Sequence, residues 1–102
     1  MLDELTTAID ERSRVRLRYA DELGRRIFEP HILFVSAAGV VCVEGMQVSG
    51  VSRTGLDEPA WRRFDVPKIR RLEVTSRRFQ PSEVFNPEDE RYARIIASCV
   101  DD

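Results

Sequence analysis

Arg14-Val15-Arg16-Leu17-Arg18-Tyr19 decides the fold, because apolar and basic residues alternate there with a period of two. In an extended strand, successive side chains point to opposite faces. Val15, Leu17 and Tyr19 therefore share a buried face, and Arg14, Arg16 and Arg18 share a strongly basic one. No helix accommodates that pattern without burying arginines. The segment before it reads differently. Leu2, Leu5, Ala8 and Ile9 recur at helical spacing, with acids near the start that suit the helix dipole. The expectation is a short amphipathic helix over 2–11, followed at once by β structure.

Working outward, Asp21 to Gly24 signals a turn and a second strand runs from Arg25 to about Val35. Pro30 inside it predicts a sheet edge or a break into two pieces. Ser36 to Gly39 is the next turn, and valine-rich Val40 to Met46 is a third strand. Residues 49–60, full of turn formers, read as a long surface loop of the kind that often carries function. A fourth strand runs from Trp61 to Val66, ended by Pro67, and a fifth from Leu72 to about Ser76. Asn86-Pro87-Glu88-Asp89 has an N-cap, a proline at the first helical position and first-turn acids. With Tyr92, Ile95, Ile96 and Cys99 as an apolar stripe, this predicts a C-terminal helix over 87–99. The sum is one mainly β (α+β) domain over 1–102, with a small barrel or rolled sheet over 14–76 between two helices.

A chain of 102 residues, 42% hydrophobic and 33% charged, fits one globular domain. No apolar run reaches membrane-spanning length, and the acidic opening does not read as a signal peptide. Cys42 and Cys99 belong to no CxxC pair, which points to reduced thiols and a cytoplasmic location. Net charge is −2, but unevenly spread. Residues 1–11 carry four acids and no base; residues 79–102 carry six acids and two arginines. Between them stand fourteen bases against eight acids, and Lys68 is the one lysine of the chain. Arginine suits bidentate recognition of phosphate or carboxylate. A GC-rich genome gives the same bias.

The run Ala8-Ile9-Asp10-Glu11-Arg12, then Val15 to Tyr19, resembles the opening of a WYL domain. Glu29-Pro30-His31 with Leu33 is similar to that family's next landmark. Arg62-Arg63-Phe64-Asp65-Val66-Pro67-Lys68-Ile69, followed by Leu72-Glu73-Val74, is similar to its most diagnostic stretch. Phe79 and Phe85-Asn86-Pro87 match the tail of short members. The family's naming Trp-Tyr-Leu triplet falls at Val41-Cys42-Val43, so the tyrosine ring and hydroxyl are absent at Cys42. The resemblance implies a five-stranded SH3-like or Sm-like barrel. It also implies a ligand-sensing module of bacterial transcription regulation or defence, with nucleic acid or nucleotide-like ligands. The chain would be a stand-alone member or a piece of a larger regulator, acting with a separate DNA-binding or effector partner.

Catalysis has no visible machinery: one histidine, no nucleophile–base spacing and no phosphate-binding glycine loop. One histidine and two distant cysteines make a poor metal set. A non-enzymatic binding module without metal or cofactor is therefore expected. Alternation on the fourth strand sets Arg62 on the core side with Phe64 and Val66, and Trp61, Arg63 and Asp65 opposite. Arg62 either pairs with an acid such as Glu29 or Glu44 or faces a pocket at the barrel mouth. The resemblance favours the pocket, with Arg62 and Lys68 as its two basic positions.

Trp61 beside Arg63 makes a stacking platform, or packs under the 49–60 loop or the C-terminal helix. His31 is a backbone-bonded structural residue or a ligand contact. Arg53 lies in the loop that would shape the site. Arg14, Arg16 and Arg18, about 7 Å apart, form a phosphate stripe or a face salt-bridged to the acidic N-terminal helix. A rival reading is a protein-interaction or homodimerisation domain built on an open sheet edge.

Overall fold

The computed structural model describes residues 1–50 and 59–100. Helix α1 spans Leu2–Glu11 and buries Leu5, Ala8 and Ile9. It ends where Arg12 enters the left-handed region at φ 55°, with its N–H on the Ile9 carbonyl. Six strands follow: β1 Ser13–Tyr19, β2 Arg26–Val35, β3 Val41–Gly50, β4 Ala60–Asp65, β5 Ile69–Arg78 and β6 Arg94–Ser98. They form one antiparallel sheet in the order β4-β3-β2-β1-β5, with β6 paired to β2.

Strand β2 is the spine, and it changes neighbour part-way along. Arg26 to Phe28 pair with β1, whereas Ile32 to Val35 pair with β6. Pro30 stands between the two ladders, next to a register shift against β3. A residue with no N–H is tolerated at such a gap inside a central strand. The expected edge or break is thus realised as a bulge at a change of partner. Opposite Pro30 sits Gly45, where a Cβ would overlap the Glu29 carbonyl and approach Phe28 Cζ to 3.0 Å.

The sheet is rolled. In a flat sheet β1 and β4 would stand about 14 Å apart, three strand spacings. Yet the Tyr19 and Phe64 rings lie 4.8 Å apart, and the Tyr19 hydroxyl accepts the Asp65 N–H at 3.0 Å. Among the described residues no ladder joins β4 to β5, so the roll is an open sheet. A 3-10 turn, Val66–Lys68, carries the chain across the seam, and the Lys68 carbonyl accepts the Ala20 N–H. Val15, Leu17, Phe28, Leu33, Val43, Phe64 and Ile69 fill the concave side, which α1 caps. A smaller cluster of Ile32, Phe34, Cys42 and Tyr92 lies on the other face.

The C-terminal helix expected over 87–99 is not formed. Asn86 and Asp89 do bond nearby backbone N–H groups, of Glu88 and Arg91, but these close turns and a single 3-10 turn, Glu90–Tyr92. Residues 94–98 instead become β6. The open edge of β2 at Ile32–Val35 offers a backbone ladder, and consecutive β-branched Ile95 and Ile96 favour taking it. No helix among the described residues is long and apolar enough to cross a membrane.

Candidate anion-binding face and the aromatic cleft

Two strands build the basic face. On β1, Arg14, Arg16 and Arg18 point away from the core that holds Val15 and Leu17. Across the ladder, Arg16 stands opposite Glu73 and Arg18 opposite Arg71. Like charges directly opposed across a ladder repel. No ion pair reaches Arg18, Arg71 or Arg77 among the described residues. The stripe is offset instead by two acids. Glu29 accepts from Arg14 Nε at 2.7 Å, and Glu73 lies 3.6 Å from Arg16 and 3.5 Å from Arg25. The acidic N-terminal helix is not the partner of this face, because α1 packs on the core at the other side of the sheet. At one end the stripe opens into a cleft of about 380 Å³. Arg14, Arg16 and Arg77 rim it, and apolar Ile27 and Val48 lie between them.

Arg62 and Lys68 are not brought together. Arg62 stands opposite Gly45 on the concave side, two residues from Phe64. Its Nε is buried and has no hydrogen-bond partner among the described residues. Both acids that would pair with it are engaged elsewhere: Glu29 with Arg14, and Glu44 with Trp61 and Tyr92. Arg26, by contrast, is paired with Glu22 at 2.5 Å, donates to the Gln47 side-chain carbonyl at 2.7 Å, and lies 5.3 Å from the Phe64 ring centre. Lys68 sits beyond the far end of β4, exposed, 3.8 Å from Asp65. Arg63 is exposed on the convex side, opposite Glu44. Arg53 lies outside the described residues.

His31 is fully buried, and both ring nitrogens are bonded to the chain. Ser82 N–H donates to Nε2 at 3.0 Å, so Nδ1 carries the proton and donates to the Glu29 carbonyl at 2.7 Å. Burial pushes its pKa below 6.5, against the opposing pull of that carbonyl and the Glu29 carboxylate. The ring is packed against Trp61, Phe79 and Phe85. It is a buried structural group with no face left for a ligand.

Trp61 is half-buried and already carries ring and hydrogen-bond partners. It stacks on Phe85 at 5.7 Å and donates its indole N–H to Glu44 at 2.7 Å. The covering segment is the irregular chain before β6 rather than a helix. Tyr92 donates to the same Glu44 oxygen at 2.6 Å, and burial with that carboxylate raises its pKa. Beside them lies a second cleft of about 180 Å³.

Strand β5, Ile69–Arg78, is longer at both ends than the expected Leu72 to Ser76, and this brings Arg71 and Arg77 onto the face. The alternation from Arg71 through Glu73 to Arg77 is the sequence signal that marks them. No comparable signal marks Glu44 and Tyr92, 48 residues apart. Among the described residues no group of three or more His, Cys, Asp or Glu could hold a metal ion.

Compared with known proteins, the chain matches no family model, no curated protein and no solved structure.

Proposed function

We propose that this chain is a regulatory binding module for nucleic acid or a nucleotide-like anion. It would act by shifting a neighbouring domain or partner rather than by transforming the ligand. The carrying observation is the outer face of β1 and β5. Arg18 and Arg71 oppose one another and neither is in an ion pair among the described residues, on a stripe that continues into the cleft rimmed by Arg14, Arg16 and Arg77. Repulsion of that kind is relieved when phosphates bind. The steps of about 7 Å match an extended single strand, and the apolar floor of Ile27 and Val48 suits a base. The partnerless Arg62 Nε supports a second anion contact inside the roll.

The resemblance to WYL domains agrees with this reading. It adds the finer fold assignment, an SH3-like or Sm-like barrel, and a place in bacterial transcription regulation or defence, in the cytoplasm. Lys68 and Arg63, both exposed, extend the basic surface in that scheme. Binding of labelled single-stranded DNA and RNA, followed by anisotropy at low and physiological salt, tests the proposal. Saturable, salt-weakened binding that is weaker and less salt-dependent in Arg18→Ala supports it; no binding at micromolar protein removes the nucleic-acid version.

A second reading, self-association through a sheet edge, rests on β6. Ile95 and Ile96 are both about half exposed on the outermost strand of that end. Sedimentation of the wild type beside Ile96→Lys tests it. A dimer that the lysine dissolves supports the reading, and a monomeric wild type removes it.

A further inference from the structure

The 180 Å³ cleft between β3–β4 and residues 84–92 is chemically unlike the arginine face. Trp61, Phe85 and Tyr92 wall it, and Asp89 lies at its rim. Behind Trp61 and Tyr92 stands the Glu44 carboxylate, its side chain 3% exposed. Glu44 holds both rings in place by accepting from the indole N–H and the phenol O–H. Neither donor is charged. Among the described residues the one ion pair of Glu44 is with Arg91, whose Nη2 is 3.7 Å away, although Arg63 stands opposite Glu44 across the ladder. Arg91 lies 4.9 Å from the Tyr92 ring centre and 3.7 Å from Asp89. A buried carboxylate, a ring face and a second acid already converge on a guanidinium. That guanidinium is held loosely: its side chain is 55% exposed and both ion pairs are longer than a hydrogen bond.

We infer that this cleft is a receptor for an organic cation, an alkylammonium or guanidinium group, and that Arg91 is its displaceable resident. An incoming cation would take the place over the Tyr92 ring and the charge of Glu44, while Arg91 swings into water. Cation–π attraction and a desolvated carboxylate together discriminate charge rather than shape. The site is separate from the arginine face and does not depend on the function proposed for it.

Trp61, the single tryptophan, reports on the cleft directly. The experiment titrates the full chain with N-acetylarginine amide, with the uncharged N-acetylcitrulline amide, and with an arginine-containing tripeptide, following Trp61 emission. A saturable change with the arginine compound and none with citrulline is expected, with at least about fivefold tighter binding in Arg91→Ala and weaker binding in Asp89→Asn. Equal affinity for the amide and the tripeptide points to a free small cation; at least about tenfold tighter tripeptide binding points to a partner's side chain. Equal responses to arginine and citrulline overturn the inference. So does silence of the wild type up to about 10 mM, a result that stands even if Arg91→Ala does not fold.

Discussion

The Tyr19 hydroxyl accepts the backbone N–H of Asp65 at 3.0 Å, joining β1 to β4 across the open side of the sheet. That N–H lies on the edge of β4 away from β3, where no strand pairs with it. A side chain thus closes part of the seam that a barrel would close with backbone. Tyr19→Phe keeps the ring packed on Phe64 but strands the N–H. A loss of about 1 to 3 kcal/mol is expected, read as a lower urea midpoint at unchanged slope.

His31 makes stability depend on pH. Its folded pKa is depressed by burial below the 6.5 of the unfolded chain. The unfolded state therefore binds the proton first as pH falls. The contribution is complete above about 6.5 and is lost progressively below it. Melting temperatures measured between about pH 7.5 and 5.5 should fall, and His31→Gln should flatten that segment because no other histidine is present. An unchanged slope in the variant would place the titrating group elsewhere.

Gly45 lies where the central strand bulges, and a methyl group there meets the Glu29 carbonyl and the Phe28 ring. Both neighbours belong to the spine of the sheet and cannot give way cheaply. Gly45→Ala is expected to cost about 3 kcal/mol or more by overpacking, measurable by denaturant titration.

Arg62 separates stability from binding. Its Nε is buried without a partner, so Arg62→Met exchanges an unsatisfied polar group for an apolar one of similar length. Thermal stability without ligand should hold or rise by about 1 kcal/mol, while anion affinity falls. A large loss of stability would mean that the guanidinium holds the fold instead.

Much of this architecture was legible in the chain. Strict alternation through Tyr19 places β1, and the 3.6-residue spacing from Leu2 to Ile9 places α1 with the bounds observed, Leu2–Glu11. The failures share a cause. Asn86-Pro87-Glu88-Asp89 carries local helix-start chemistry, but the vacant edge of β2 at Ile32–Val35 is a long-range feature that no local pattern reveals. The cleft was hidden for the same reason, since Glu44, Trp61 and Tyr92 meet only after β3, β4 and the C-terminal segment have packed. Alternation along β4 puts Arg62 on the face of Phe64. That its acids would be taken by Arg14, Trp61 and Tyr92 is a property of the packed fold.

The central claim is that the arginine face of β1 and β5 binds phosphates. Its most direct test is the salt dependence of anisotropy for a labelled single-stranded oligonucleotide, with wild type beside Arg16→Ala, Arg18→Ala and Arg77→Ala. Wild-type binding should weaken linearly on a log–log plot, and each substitution should lower the slope by about 0.7, the value of one phosphate contact on a single strand. Absence of saturable binding at low salt and about 10 µM protein, or slopes untouched by all three substitutions, would contradict the account.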